Sequence, residues 1–272
     1  MKNFFRDTVP YVAVVLLSFA SCQKVIHPNL KNAAPQLVID ADMSNLHGLS
    51  VALSRSVGFY DDNSFPPVNN ATIVLQDLAT HKTDTVHFES DGLYYLHKKP
   101  KVGTSYKLTV TVDSVTYTAI STMPAVLGPD SVTFTQRNIF GKDIISAKVN
   151  FQDPAGVENY YLFRQYILKN DRWSFFPFSD RLSDGRYIQY TLRNDSAYML
   201  PGDSVVVNMQ CIDKNVYTYF SVLENISADN NGFGSTSPAN PPTNIVGNAL
   251  GVFNVHSDYI KKTKVPEYVP TE

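Results

Sequence analysis

The sequence is poor in the residues that most often announce a chemistry. It has 272 residues but one Trp, two Cys and six His. The histidines are His27, His47, His81, His87, His97 and His256, and no His-x-x-x-His or Cys-x-x-Cys spacing accompanies them. No metal centre is expected from that pattern, and they are expected as scattered surface or strand residues. There is no Gly-x-Ser-x-Gly elbow and no Gly-x-x-x-x-Gly-Lys loop, so the signatures of a nucleophilic serine and of a phosphate cradle are missing. Asp40-x-Asp42-x-Ser44 has the start of a calcium loop, but the glycine and the closing glutamate fall in the wrong places. Paired carboxylates for glycoside hydrolysis meet only in a fold, and no pair is singled out by spacing. The formal net charge of -2 leaves no basic footprint for nucleic acid or anionic lipid. No apolar run reaches the roughly 20 residues that a membrane-spanning helix needs.

What is present begins with the apolar run 12–19, preceded by Lys2 and Arg6 and closed by Ala20-Ser21-Cys22. A charged start, an apolar middle and small residues at the end are the layout of a secretory signal. The ending Phe19-Ala20-Ser21-Cys22 resembles the lipobox of bacterial lipoproteins. That resemblance implies cleavage before Cys22 and lipid on its thiol, and several acyl chains on one cysteine hold a protein stably at a membrane. Residues 1–21 then form the signal and 22–36 a tether. With Cys22 lipidated, Cys211 has no partner and the exported fold does without disulfides. Gln23-Lys24-Val25-Ile26-His27 lacks the acids that direct some Bacteroidetes-type lipoproteins to the cell surface, so the face of the membrane stays open.

The rest of the chain reads as strands. Leu49, Val51 and Leu53 alternate with Ser50, Ala52 and Ser54, and Ala71, Ile73 and Leu75 with Thr72, Val74 and Gln76. A two-residue turn at Asp113-Ser114 would pair Val112 with Val115, Val110 with Tyr117 and Leu108 with Ala119, all six facing inward. Prolines and a glycine at Pro124, Gly128 and Pro129 mark a boundary. Beyond it, residues 159–168 are apolar or aromatic on both faces, as in a strand covered on two sides. Val205, Val207, Met209 and Cys211 alternate with polar residues, which places Cys211 inward as a small apolar filler. One helix is predicted at about 215–226, from Val216, Phe220 and Leu223, covering one edge of the second sandwich. The fold class is mainly β: two β-sandwich domains with one short helix in the second.

Three resemblances sharpen this. Residues 71–75, Asp91-Gly92-Leu93-Tyr94-Tyr95-Leu96 and the Gly-x-x-Tyr pattern of Gly103 and Tyr106 are similar to carboxypeptidase-regulatory-like β-sandwiches, which implies such a structural domain over 37–124. Strand, Asp153-Pro154 turn and aromatic strand look like immunoglobulin or fibronectin type III sandwiches, here over 129–258, with a C-terminal tail at 259–272. In order, the 153–161 stretch, the Tyr217-x-Tyr219-Phe220 helix and Asn244-Ile245 leading into Gly251-Val252-Phe253 resemble the Bacteroidetes-type outer-membrane lipoproteins of the domain of unknown function 4249 family. Members of that family are often encoded beside TonB-dependent outer-membrane receptors, which implies such a receptor as partner and no chemistry.

Candidate binding residues are two aromatics. Trp173, with Phe175, Phe176 and Phe178 around Pro177, either fills the sandwich edge or docks a partner or a sugar ring. Phe233 lies in the proline-bearing loop 229–244, where a domain of this kind commonly binds. The expected function is a non-catalytic, lipid-anchored outer-membrane subunit serving a TonB-dependent transport system, without cofactor, metal or nucleic acid. A carbohydrate- or protein-binding adhesin is the alternative, and a cell-envelope hydrolase a more distant one.

Overall fold

Alternating apolar residues make the strands of the N-terminal half. Leu37, Ile39, Ala41 and Met43 of β1 (Leu37–Ser44) are buried, while Asp40 and Asp42 project to the other face. Leu49, Val51 and Leu53 are buried in β2 (Gly48–Arg55). Then come β3 (Thr72–Asp77), β4 (Thr83–Ser90), β5 (Leu93–Leu96), β6 (Ser105–Val112) and β7 (Val115–Thr122). The computed structural model describes residues 34–58, 61–62, 64–193, 199–229 and 240–271. Everything below belongs to one compact unit, Pro35–Val57 with Asp61–Glu272; the other unit, Met1–Ala34 with Gly58–Tyr60, is almost wholly outside the described residues.

The β6–β7 hairpin has the predicted register: Val112 faces Val115, Val110 faces Tyr117 and Leu108 faces Ala119. Asp113 and Ser114 both take positive φ, 48° and 67°, the mirror-image turn whose twist suits two antiparallel strands. Val115 differs from expectation. It is exposed, because it flanks the turn at the hairpin tip.

The C-terminal half contributes β8 (Ser131–Ile139), β9 (Lys142–Gln152), β10 (Tyr160–Ile167), β11 (Arg172–Ser179), β12 (Tyr187–Leu192) and β13 (Ser204–Ile212). The helix α1 (Lys214–Asp229) follows, then the short β14 (Ile245–Val246) and the long β15 (Ala249–Lys264). Twelve strands form one hydrogen-bonded sheet in the order β11-β10-β13-β15-β1-β2-β5-β4-β3-β6-β7-β14, and β12-β9-β8 form another. The long sheet wraps around the N-terminal core, while its β11, β10 and β13 side packs against β12-β9-β8 around the C-terminal core.

β15 joins the two halves. Its residues 249–256 pair parallel with β1, and residues 257–264 pair antiparallel with β13. Phe253 and Val255 therefore lie in the first core, although they come from the end of the chain. The layout thus differs from separate domains at 37–124 and 129–258 followed by a tail. β15 runs on to Lys264, Val265 and Val269 are buried in the second core, and Thr271 bridges to Gln136 of β8.

α1 is longer than predicted and starts on Asp213, whose Oδ1 accepts from the Asn215 and Val216 amides at 3.0 Å each, a side-chain N-cap. Its Val216 and Phe220 pack on Tyr160, Leu162, Ile212 and Val252. The helix thus lies on the outer face of the long sheet rather than along a sandwich edge. That explains why β10 is apolar on both sides: Tyr161, Phe163 and Ile167 face the core, and Tyr160 and Leu162 face the helix.

Candidate functional site

The predicted aromatic cluster is split by strand alternation. On β11, Phe176 is buried in the C-terminal core and Phe178 packs against it. Phe175 points to the opposite face and meets Phe220 of α1, ring centroids 5.6 Å apart. Trp173 shares that outer face but lies beyond the helix and is 60% exposed. Three of the four aromatics are packed, and Trp173 alone of them is mainly exposed among the described residues.

Trp173 does not project as a lone ring. It sits directly opposite Tyr166 of β10, and the two rings stack with centroids 4.8 Å apart at 25°. The hairpin between them is closed by a 3-10 turn, Leu168–Asn170, and by Asp171 in the left-handed region. Asp171 Oδ1 accepts the Tyr166 hydroxyl at 2.6 Å, which fixes the ring and raises the phenol above its ordinary value. The row continues by register through Val206 of β13 to Lys262 of β15. Beside it is an apolar cavity of about 490 Å³, lined by Tyr166, Leu168, Val205 and Val206 and edged by Lys262 and Lys264. Because β11 ends the sheet order, its outer backbone edge has no strand neighbour among the described residues. Pro177, within β11, suits an edge strand, since it cannot donate to a ladder.

A second assembly lies where β15 passes from β1 to β13. His256 is a strand histidine, as expected for this group, and it is fully buried. Its Nδ1 is 3.5 Å from Asp42 Oδ1 and its Nε2 3.3 Å from Asp258 Oδ1. Asp258 Oδ1 also accepts from Gln210 Nε2 at 2.9 Å and from Asn208 Nδ2 at 2.6 Å, and Asn254 Nδ2 donates to Asp42 at 3.3 Å. Burial by itself would lower the imidazole pKa, and Arg164 opposes its charge, but the Asp42 and Asp258 carboxylates outweigh both and raise it. Asp258 is held below the usual carboxylate range: burial works against ionisation, and the His256, Asn208 and Gln210 contacts prevail. The network ties β1, β13 and β15 together, buried at His256 and Asp258 and half-exposed at Asp42, and reads as a lock between the two halves. The one sequence signal was the alternation of Asn254, His256 and Asp258 along one strand face.

Cys22 and Phe233 lie outside the described residues. Cys211 is buried in the C-terminal core as predicted from its alternation; its Sγ is 3.8 Å from the Leu127 carbonyl oxygen, and burial pushes the thiol pKa up.

The family described as a domain of unknown function (DUF4249) matches residues 23–262. The chain belongs to that family. The DUF4249 chain is mainly β with sandwiched sheets. Similar solved structures include a two-domain fibronectin type III segment of chicken tenascin, 15% identical with a TM-score of 0.22, covering 66% of this chain and 87% of that one. The chicken interferon gamma receptor alpha chain is 10% identical with a TM-score of 0.20, covering 66% of this chain and 90% of that one. No curated protein matches. The motif residues of the DUF4249 chain have structural tasks. Asn244 uses its side-chain amide as a strand would, accepting from the Phe253 N–H at 2.9 Å and donating to the Phe253 carbonyl at 2.7 Å.

Proposed function

We propose that this DUF4249 chain is a non-catalytic binding subunit, held at the outer membrane by lipid on Cys22, that serves a TonB-dependent transport system. The observation that carries a binding role is the Trp173–Tyr166 stack, exposed at the free edge of the sheet beside a cavity. Aromatic pairs of this kind offer large contact area at low entropic cost and are enriched where proteins bind. The lysines at the cavity edge suit a partner that brings carboxylates to an apolar contact. The anchor rests on Phe19-Ala20-Ser21-Cys22. In this reading the N-terminal half is a carboxypeptidase-regulatory-like spacer in a Bacteroidetes-type lipoprotein.

The test is a pull-down of the lipidated chain from detergent-solubilised membranes. Co-purification of a large β-barrel receptor by wild type, and its loss with Trp173→Ala, is the expected result. Equal capture by the variant removes the aromatic stack from the interface, and absence of any barrel removes the accessory role. One feature favours an adhesin as second reading: an exposed indole beside a cavity also suits a sugar ring. Glycan binding that depends on Trp173, without a barrel, would decide for it.

A further inference from the structure

At one end of the C-terminal sandwich two loops are laced together by carboxylates. The β9–β10 loop carries Asp153, Gly156 and Asn159, and the β11–β12 loop carries Asp180, Asp184 and Gly185. Gly185 N donates to Asp153 Oδ2 at 2.9 Å, and Tyr161 Oη donates to Asp153 Oδ1 at 2.5 Å. In the other direction Gly156 N donates to the two Asp184 oxygens at 2.8 and 3.1 Å, and Asn159 N to Asp180 Oδ2 at 2.8 Å. These bonds fix the three side chains so that one oxygen of each lies within 4.8 Å of the others.

Those bonds do not neutralise the charge gathered there. Asp153 and Asp180 are both buried, Asp180 completely, and neither forms an ion pair among the described residues. Among the described residues Asp180 Oδ1 is buried with no hydrogen-bond partner, and so is Asn159 Oδ1 on the residue whose amide holds Asp180. A buried ionised carboxylate is costly unless it is paired or coordinates a metal. Burial raises the Asp180 pKa, the Asn159 amide partly opposes this, and the charges of Asp153, Asp184 and Glu158 raise it further.

We propose that Asp153, Asp180 and Asp184 form a calcium site that staples the β9–β10 loop to the β11–β12 loop. Calcium–oxygen bonds of about 2.3–2.6 Å place ligand oxygens up to roughly 5 Å apart around one ion, which matches the observed cluster. The donors are all oxygen, with no imidazole or thiolate, and that selects a hard cation over zinc or copper. Calcium tolerates an irregular, partly hydrated shell, whereas magnesium requires a near-ideal octahedron. A carboxylate that already accepts an N–H keeps lone pairs for a metal. The competing occupant is a proton on Asp180, which would relieve the same repulsion without a metal.

The test uses the full chain purified in detergent and calcium chloride as the probe, read by titration calorimetry and by thermal unfolding against a chelator. Tyr161, bonded to Asp153, provides an independent optical readout by sensitising terbium luminescence at the site. The expected result is one calcium per chain, with a dissociation constant at or below about 1 mM, the range of extracellular calcium modules, and a melting temperature that rises with calcium. Asp184→Asn keeps an acceptor for Gly156 N on an exposed residue, so the fold is retained; it should weaken calcium at least tenfold and abolish the terbium signal. Wild-type unfolding that ignores calcium, or a calcium response unchanged in Asp184→Asn, would overturn the site. Equal binding of magnesium would overturn the assignment to calcium.

Discussion

Gly251 and Ile39 face each other across the parallel β15–β1 pair so closely that a Cβ on Gly251 would overlap the Ile39 carbonyl. Gly251 also takes a φ of 103°, a region that side-chain-bearing residues avoid. The seam that joins the two halves therefore depends on one residue without a side chain. Gly251→Ala should destabilise the chain by more than about 2 kcal/mol, combining backbone strain with the clash. Urea unfolding measures it, and an unchanged midpoint would show that the seam tolerates a side chain at this position.

Asn244 supports the same seam. Its Nδ2 donates to the carbonyls of Phe253 and Ile120, at 2.7 and 3.3 Å. Asn244→Asp keeps the shape but replaces the donor with an oxygen facing two carbonyls. A loss of about 1–3 kcal/mol is expected from the unmade bonds, with a larger effect at neutral pH, where the carboxylate is charged, than near pH 4. Equal destabilisation at both pH values would argue against the bond assignment.

His256 should make stability fall with rising pH. Its folded-state pKa is raised by Asp42 and Asp258 against the effects of burial and Arg164, so its contribution is complete below the unfolded value of about 6.5 and is lost as pH climbs through the folded value. Asp258 works in the opposite sense: its lowered pKa gives stability that is present above the unfolded value of about 3.9 and lost as pH falls through the folded one. Denaturation midpoints between pH 5 and 9 should decline for wild type and stay flatter for His256→Asn. Parallel curves for the two proteins would mean that folding leaves the imidazole pKa unshifted.

Phe176 and Trp173 should separate packing from exposure on one strand. Phe176→Ala empties part of the C-terminal core and should cost roughly 3–5 kcal/mol. Trp173→Ala removes a mainly exposed ring stacked on Tyr166 and should cost less than about 1.5 kcal/mol. Thermal unfolding of both variants distinguishes them, and similar losses would indicate that Trp173 is covered in solution.

Cys211 should resist alkylation in the native protein and react quickly after unfolding, because burial both shields the sulfur and disfavours the thiolate. Cys211→Asp should be severely destabilising, since it places an unpaired charge in the core. Rapid labelling of folded chain would contradict the inward register of β13.

The sequence by itself determined the local structure: the strand alternation, the β6–β7 register, the inward face of β13 and the two-sided burial of β10. These depend on side-chain periods of two residues and on turn chemistry, which neighbouring residues specify. Only the tertiary structure decided what depends on distant pairing. That β15 leaves β1 for β13 halfway along its length was hidden, because an apolar strand does not state its partner. His256 was one polar residue in a strand until Asp42, more than two hundred residues away, was set beside it. The aromatics of β11 looked alike in sequence, and the position of α1 separated the packed Phe175 from the exposed Trp173. Asp153 read as part of an Asp-Pro turn and Asp180 carried no signal of its own, and only the meeting of two loops gathered their charge. In each case the chemistry comes from charges and rings brought together across the fold, and the energy of such contacts exists only once packing has excluded water and fixed the partners.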